Sequence, residues 1–207
     1  MSFAGATQFW NERFDNDEFI FGKDPNEYLV EQVSAYLKPN SSVLCIADGE
    51  GRNGVWLAKQ GMRVTGFDVS DFALAKANQF AKDNQVSIQY SLCDTDGFDW
   101  QTNAYDAIIA IFIQFADPEM RARIFKQVHQ ALKPGGIFIL QGYTPKQLEY
   151  KTGGPSLLEH LYTEEMIRQL SQGFEILDLR CYEKELSEGA RHTGMSALLG
   201  MVAKKSV

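Results

Sequence analysis

The chain has 207 residues, of which 44% are apolar and 23% charged. Those proportions are ordinary for a folded domain and exclude a disordered chain, a collagen and a disulfide scaffold. The 20 Lys and Arg stand against 27 Asp and Glu, a net charge of −7, and an acidic surface repels phosphate backbones. Lys and Arg are scattered, with one doublet at Lys204-Lys205, so no nucleic-acid partner is expected. Cys45, Cys93 and Cys181 are far apart with no CxxC spacing. That spacing gives neither a disulfide framework nor a zinc site, and it suits three buried thiols in a reducing cytoplasm. No bound metal is expected. No run approaches the roughly 18–20 apolar residues of a membrane span. Residues 1–17 also lack the basic start and apolar run of a secretory leader. The balance points to a cytoplasmic protein that handles a small molecule.

Along the chain, apolar runs alternate with helical periodicity, the pattern of an α/β sheet. Asp24-Pro25 reads as N-cap and first helical position, followed by Leu29, Val33, Tyr36 and Leu37 at helical spacing up to Pro39. Ser42 to Ala47 is a short apolar run that fits a strand buried on both faces. Asp48-Gly-Glu-Gly-Arg-Asn-Gly54 is a glycine-rich turn, and Val55 to Gln60 is the helix after it. Met62 to Phe67 is a second strand ending at Asp68. Ser70 caps a helix with Ala73, Ala77, Phe80 and Ala81 on one face, and Val86 to Leu92 alternates as a third strand. Tyr105 to Phe112 reads as a central strand. Asp117-Pro118 caps a helix burying Met120, Ile124, Val128 and Leu132, with His129 at its surface. Pro134-Gly135-Gly136 then turns the chain into a fifth strand, Ile137 to Gln141. Residues 142–162 show no clear periodicity beyond one helical turn, and Thr163 opens a short helix through Leu170. Phe174 to Tyr182 and Ser196 to Ala203 form an antiparallel pair.

The glycine-rich turn carries the chemistry. A tight bend between a buried strand and a helix lets a ligand approach the backbone and presents free N–H groups at the positive helix end. Such ligands sit outside the carboxyl ends of the strands. Asp68 closes the next strand 17 residues beyond Gly51, where a carboxylate can accept hydrogen bonds from both ribose hydroxyls. Together the two features suggest an adenosine-containing cofactor. Gly49, Gly51 and Gly54 formally fit GxGxxG, so a nicotinamide-dependent oxidoreductase is one alternative. A dinucleotide enzyme normally needs a second mononucleotide half and a substrate domain, and this chain ends in an antiparallel pair instead.

Val43-Leu-Cys-Ile-Ala-Asp-Gly-Glu-Gly-Arg-Asn53 resembles the first motif of the class I S-adenosylmethionine-dependent methyltransferases, in particular their tellurite-resistance and thiopurine methyltransferase-like small-molecule group. The resemblance covers nearly the whole chain. It includes Trp10-Asn-Glu-Arg-Phe14, Phe21-Gly-Lys-Asp-Pro-Asn26, Gly66-Phe-Asp-Val-Ser70, Tyr105-Asp-Ala-Ile-Ile109, Leu132-Lys-Pro-Gly-Gly136 and Tyr150-Lys-Thr-Gly-Gly-Pro155. It implies one domain over 1–207, with an N-terminal lid and helix in 1–38, a cofactor-binding core in 39–142 and a substrate side in 143–207. The implied fold is α/β: a three-layer, Rossmann-like, doubly wound sheet of about seven strands, mostly parallel with an antiparallel last strand. Two positions depart from the family. Its usual first-strand acid is Cys45 here and its first glycine is Ala47. Ala47 is expected to keep a negative φ, Asp48 to supply the missing charge, and the cofactor to bind more weakly than is typical.

By resemblance, S-adenosyl-L-methionine is the cofactor and S-adenosyl-L-homocysteine the product. Its methionine part would lie against Ala47, Asp48, Gly49 and Gly51, beside Arg52, with the ribose on Asp68 and Val69 packed on the adenine. Asp94 would accept from the adenine amino group, with Thr95 beside it, and Ile111 and Phe112 would line the other side. Trp10 and Arg13 match a lid whose arginine reaches the cofactor carboxylate. Phe21, Gln114, Tyr143 and His192 are the candidate substrate contacts, and Arg13 or Arg191 would meet an anionic acceptor. His160 has no clear part, and no strong general base stands out. The site therefore suits a small molecule with a soft nucleophile, a thiol or a metalloid or other soft anion. Two rival expectations stand beside this one: a protein that binds the cofactor or its product without catalysis, and a methyltransferase acting on protein or RNA, which would need a recognition domain or basic face not visible here.

Overall fold

The computed structural model describes residues 3–189 and 192–206; Arg191, one of the expected anion donors, lies outside the described residues. The chain forms two compact units, Met1–Asp99 and Trp100–Val207. In the first, α1 (Phe3–Phe14) and α2 (Glu27–Tyr36) precede β1 (Ser42–Ile46), α3 (Arg52–Lys59), β2 (Arg63–Asp68), α4 (Asp71–Asp83) and β3 (Ile88–Leu92). β1 pairs parallel with β2 from Ser42↔Arg63 to Ile46↔Phe67, and β2 pairs parallel with β3 from Val64↔Ile88 to Asp68↔Leu92. Val43, Leu44, Cys45 and Ile46 are all buried, as a strand covered on both faces requires. Truncating Leu44 to Ala would cost about 2–5 kcal/mol.

The second unit holds β4 (Tyr105–Ile111), α5 (Pro118–Ala131), β5 (Leu132–Tyr143), α6 (Gln147–Tyr150), a 3-10 turn at Leu158–His160, α7 (Glu164–Leu170), β6 (Phe174–Glu188) and β7 (His192–Lys205). β4 and β5 are parallel, β5 and β7 antiparallel, and β7 and β6 antiparallel. The seven-stranded sheet takes the order β3-β2-β1 from the first unit and β4-β5-β7-β6 from the second. This is the doubly wound, mostly parallel α/β architecture with an antiparallel last strand that the sequence predicts.

Several boundaries differ for local reasons. The N-cap of α2 is Asn26, two residues beyond Asp24: its side chain accepts from Leu29 N, and its own N–H donates to Asn53 Oδ1 at 2.9 Å. α3 begins at Arg52, because Gly51 at φ +85° closes the turn and serves as the N-cap position. Ser70, Asp117 and Thr163 cap α4, α5 and α7 with their side-chain oxygens, as expected. β5 runs through Pro134-Gly135-Gly136, pairing Tyr105 with Leu132 before a register shift. His129 is half-buried, its ring edge-on to Phe174 at 5.1 Å, and is not a surface group. Among the described residues, no helix is long and apolar enough to cross a membrane.

Candidate functional site

The first unit concentrates buried carboxylates at the carboxyl ends of β1 and β2. β1 runs into Ala47 at φ +49°, then Gly49 at +57° and Gly51 at +85°. The expectation of a negative φ at Ala47 is therefore wrong. Its Cβ sits in the left-handed region, which costs an L-residue about 1–2 kcal/mol. A glycine would carry no such strain. Asp48 also departs from its expected part. Oδ1 accepts from Gly54 N at 3.2 Å and Oδ2 from the Tyr90 hydroxyl at 2.8 Å, so its carboxylate is turned onto the protein's own turn. Burial pushes its pKa up to about 7, against the opposing pull of the Tyr90 and Gly54 bonds; Asp68 raises it further and Arg52 lowers it. Cys45 is held as the neutral thiol by burial and by the neighbouring Asp48 charge; it alone of the three cysteines is buried as expected, Cys93 being half-buried and Cys181 exposed on the edge strand β6.

Asp68 is buried and ties the glycine turn to the cap of α4. Oδ2 accepts from Gly49 N at 3.0 Å and Oδ1 from Ser70 N at 2.9 Å. A carboxylate has about four lone-pair sites, so each oxygen keeps capacity for one further O–H donor. Burial raises its pKa to about 6, while the Ser70, Gly49 and Val69 N–H groups pull it down. The residues fit an adenosine cofactor: a carboxylate tied to the glycine turn faces backbone that stays open. A Cβ at Gly49 would meet nothing closer than Phe14 Cζ at 3.7 Å. Phe14 is the roof residue that the sequence reading missed, although it stands in the quoted Trp10–Phe14 motif.

The N-terminal helix α1 is docked by another unforeseen residue. Asn11 Oδ1 accepts from Ser70 Oγ and Asn11 Nδ2 donates to Asp71 Oδ1, both at 2.6 Å. Trp10 stacks on Phe14 at 5.8 Å, and Phe14 meets Phe21 edge-on at 6.1 Å. Phe21 thus belongs with the roof of the turn. Arg13 folds back on its own helix, donating to the Phe9 carbonyl at 2.8 Å with its guanidinium 3.3 Å from the Phe9 ring centroid. A cofactor carboxylate would have to draw it away. Arg52 is buried and points toward the Asp24 carbonyl at 3.5 Å. Asp94 Oδ1 accepts from Asp96 N and Gly97 N, so one oxygen serves a turn. Val69 and Asp94 are half-buried, and Thr95, next to Asp94 in sequence, is buried.

The second unit presents rings. Phe112, at φ +56° just past β4, stacks on Tyr143 at 4.8 Å and lies 4.3 Å from the His192 ring; Tyr143 and His192 meet edge-on at 5.8 Å. Ile111 ends β4 beside them. His192 opens β7 and is paired with Glu188, so it is a strand residue and not a loop residue. Gln114 corrects another expectation. Its amide donates to the Tyr143 and His160 carbonyls at 2.9 and 2.8 Å and accepts from Tyr143 N at 2.6 Å. Both ends of that amide are taken, so Gln114 holds Tyr143 in place and does not face a substrate. His160, whose Nδ1 lies 2.9 Å from the Gln114 carbonyl oxygen, belongs to the same brace.

Comparison with known proteins places these features. Residues 43–136 match the methyltransferase-domain family. Thiocyanate methyltransferase 1 of Arabidopsis thaliana is 31% identical over 129 residues, 61% of this chain and 56% of that protein. Phosphoethanolamine N-methyltransferase 2 of Caenorhabditis elegans is 26% identical over 164 residues, 72% of this chain and 37% of that one. The chain thus spans roughly a third to just over half the length of these two relatives. A structure from a study of the conversion of a disulfide bond into a thioacetal group during echinomycin biosynthesis superposes with a TM-score of 0.81. It covers 97% of this chain and 92% of its own at 14% identity, a likeness that establishes the fold. The glycine turn, the Asp68 carboxylate and the fold agree with this methyltransferase-domain match, which spans residues 43–136.

Proposed function

We propose that this protein transfers a methyl group from S-adenosyl-L-methionine to a small molecule with a soft nucleophile, a thiol or a metalloid or other soft anion, by in-line displacement. The observation that carries this reading is the ring cluster Phe112, Tyr143 and His192. Apart from His192 it holds no titratable group that ionises near neutrality, and the neighbouring Gln114 amide is already committed. An acceptor that arrives as its anion needs no protein base. The cofactor brings an electrophilic methyl on a sulfonium whose thioether is the leaving group. The protein's part is orientation and exclusion of water. Asp68 fixes the ribose through its two oxygens, Gly49 leaves the backbone open to the methionine part, and Trp10, Phe14 and Phe21 close over the turn. Val69, Asp94 and Thr95 take the adenine end. The sulfur-containing acceptor named for the Arabidopsis relative agrees with the soft class.

Calorimetric titration with S-adenosylhomocysteine, followed by a methyl-transfer screen over thiols, thiocyanate and metalloid oxyanions, tests the reading. Binding with turnover on one of these supports it. Turnover confined to amine or hydroxyl acceptors overturns the soft class, and binding with no turnover on any acceptor supports a cofactor-binding protein without catalysis.

A further inference from the structure

The carboxylate of Asp48 is held by a tyrosine three elements away in sequence, and the surrounding glycines record how closely. Tyr90 stands on β3 opposite Gly66 of β2. A Cβ at Gly66 would lie 2.7 Å from Tyr90 Cε1, so the ring crosses the second strand where that strand has no side chain. The hydroxyl then reaches Asp48 Oδ2 at 2.8 Å, while Asp48 Oδ1 takes the Gly54 N–H. Cβ atoms at Gly51 and Gly54 would fall 2.8 and 3.0 Å from the same hydroxyl, and the one at Gly54 only 2.3 Å from Asp48 Oδ2. Gly51 and Gly54 therefore make room for this pair from the side away from any ligand, a second reason for glycine besides access of the cofactor. The bond spans the whole cofactor turn, since Asp48 begins it and Gly54 lies in the first turn of α3.

We propose that Tyr90 is a positioning residue for cofactor binding: through the Asp48 carboxylate it holds the Asp48–Gly54 turn in the conformation that receives S-adenosylmethionine. The inference rests on the assignment of that turn to the cofactor. A buried carboxylate is costly unless it is hydrogen-bonded, and here two donors serve it. The titratable and charged groups facing Asp48 are Tyr90 from β3, Cys45 from β1, Asp68 from β2 and Arg52 from α3; α4 contributes only Ala77 beside Gly51. Loss of the Tyr90 hydroxyl removes one of the bonds that hold the Asp48 pKa down. The carboxyl then protonates at higher pH and releases its hold on the turn at higher pH.

The experiment is calorimetry of S-adenosylhomocysteine binding from pH 5.5 to 8.5 with the wild type, Tyr90→Phe, Asp48→Asn and the double variant. Phenylalanine keeps the ring beside Gly66, so the fold should be retained, which melting curves check. Tyr90→Phe is expected to weaken binding about tenfold at pH 7.5, the scale of one hydrogen bond to a charged group. It is also expected to move the acid limb assigned to Asp48 to higher pH. In the Asp48→Asn background the same change should matter less than about twofold. A tyrosine that only packs would lower the melting temperature and leave affinity and the acid limb unmoved; that result, or an equal effect in both backgrounds, overturns the proposal. If Tyr90→Phe does not fold, Asp48→Asn reads the bond from the acceptor side: an unchanged pH profile overturns the proposal and a flattened one supports it. If the wild type binds neither S-adenosylhomocysteine nor S-adenosylmethionine, the cofactor reading falls and this inference with it. If only the variants behave as wild type, this inference alone falls.

Discussion

Under the proposed function, the two units meet their ligands with different chemistry. In the first, recognition is built from carboxylates and backbone N–H groups: Asp48 and Asp68 are both buried, and between them they accept from Gly54, Tyr90, Gly49 and Ser70. In the second, it is built from ring faces, with Phe112, Tyr143 and His192 in mutual contact and polar atoms such as the Gln114 amide turned inward as braces. Hydrogen bonds to charged groups are directional and reject analogues that lack the partner. Apolar ring contacts discriminate by shape and tolerate variation. The first unit is thus suited to one invariant ligand and the second to a ligand whose identity can drift. Both carry the same kind of strain, a non-glycine residue in the left-handed region just past a strand: Ala47 after β1 and Phe112 after β4. Such strain persists only where the surroundings over-determine it, and it clusters at functional sites.

The largest test of this contrast is Asp68→Ala. It removes the acceptor for two ribose hydroxyls and frees the Gly49 and Ser70 N–H groups, so the affinity for S-adenosylhomocysteine should fall at least about 100-fold. Calorimetry checks this beside a folded circular-dichroism spectrum, and binding that persists would show the ribose to lie elsewhere. Acidification is the next largest. Ionised Asp68 is the form that accepts both hydroxyls, so affinity should drop about tenfold per unit once the pH falls below about 6. Folding moves the opposite way. Asp48 and Asp68 have raised pKa values, near 7 and 6, so the folded state binds more protons than the unfolded one between about pH 4 and 7. Their contribution to stability is present at low pH and lost as pH rises through that window. Thermal melts of wild type against Asp48→Asn should therefore diverge as pH rises toward 8.

In the second unit, His192→Ala should raise the acceptor KM about three- to tenfold, the scale of one or two ring contacts. The S-adenosylhomocysteine Kd should stay within about twofold. An equal loss of both would break the division of labour drawn above. Smallest is Ala47→Gly, which relieves the left-handed strain against a more flexible unfolded chain. The expected gain is about 0.5–1 kcal/mol, a rise in Tm of about 1–4 °C for a chain of this size, with cofactor affinity retained. A loss of stability would show that the Ala47 methyl has packing value exceeding its strain.

What the sequence made legible was what short-range chemistry decides. The buried runs of β1 and β4, the caps at Ser70, Asp117 and Thr163, and the glycine turn all stand where local pattern puts them. Decisions made by distant partners were hidden. Asn26 outcompetes Asp24 as N-cap because its own N–H is fixed by Asn53, 27 positions away. Tyr90 reads as one more alternating strand residue until strand register sets it opposite Gly66. The outer half of β6, with Glu183, Lys184, Glu185 and Glu188, lacks the apolar alternation of a strand. Its pairing, from Glu183↔Ala197 to Glu188↔His192, rests on backbone bonds that no hydrophobic pattern announces. Charged residues on an edge strand also protect it from pairing with other chains.

That hairpin has a further consequence. β5 gives up its place beside β7 at Tyr143↔Leu198, so the last stretch of β7 toward His192 has a strand on one side only. Its other side is tied by one backbone bond, from Thr144 N to the Ala197 carbonyl at 2.9 Å, and by two side chains: Ala197 N donates to Gln147 Oε1 at 2.9 Å, and Thr152 Oγ1 donates to the Met195 carbonyl at 2.5 Å. A ladder closes or opens as a whole, whereas two side-chain ties can be retuned one substitution at a time. Residues 147 and 152 are therefore dials on the local opening free energy of the segment that carries His192. Acceptor preference can evolve through them while the sheet, the glycine turn and the cofactor carboxylates stay as they are.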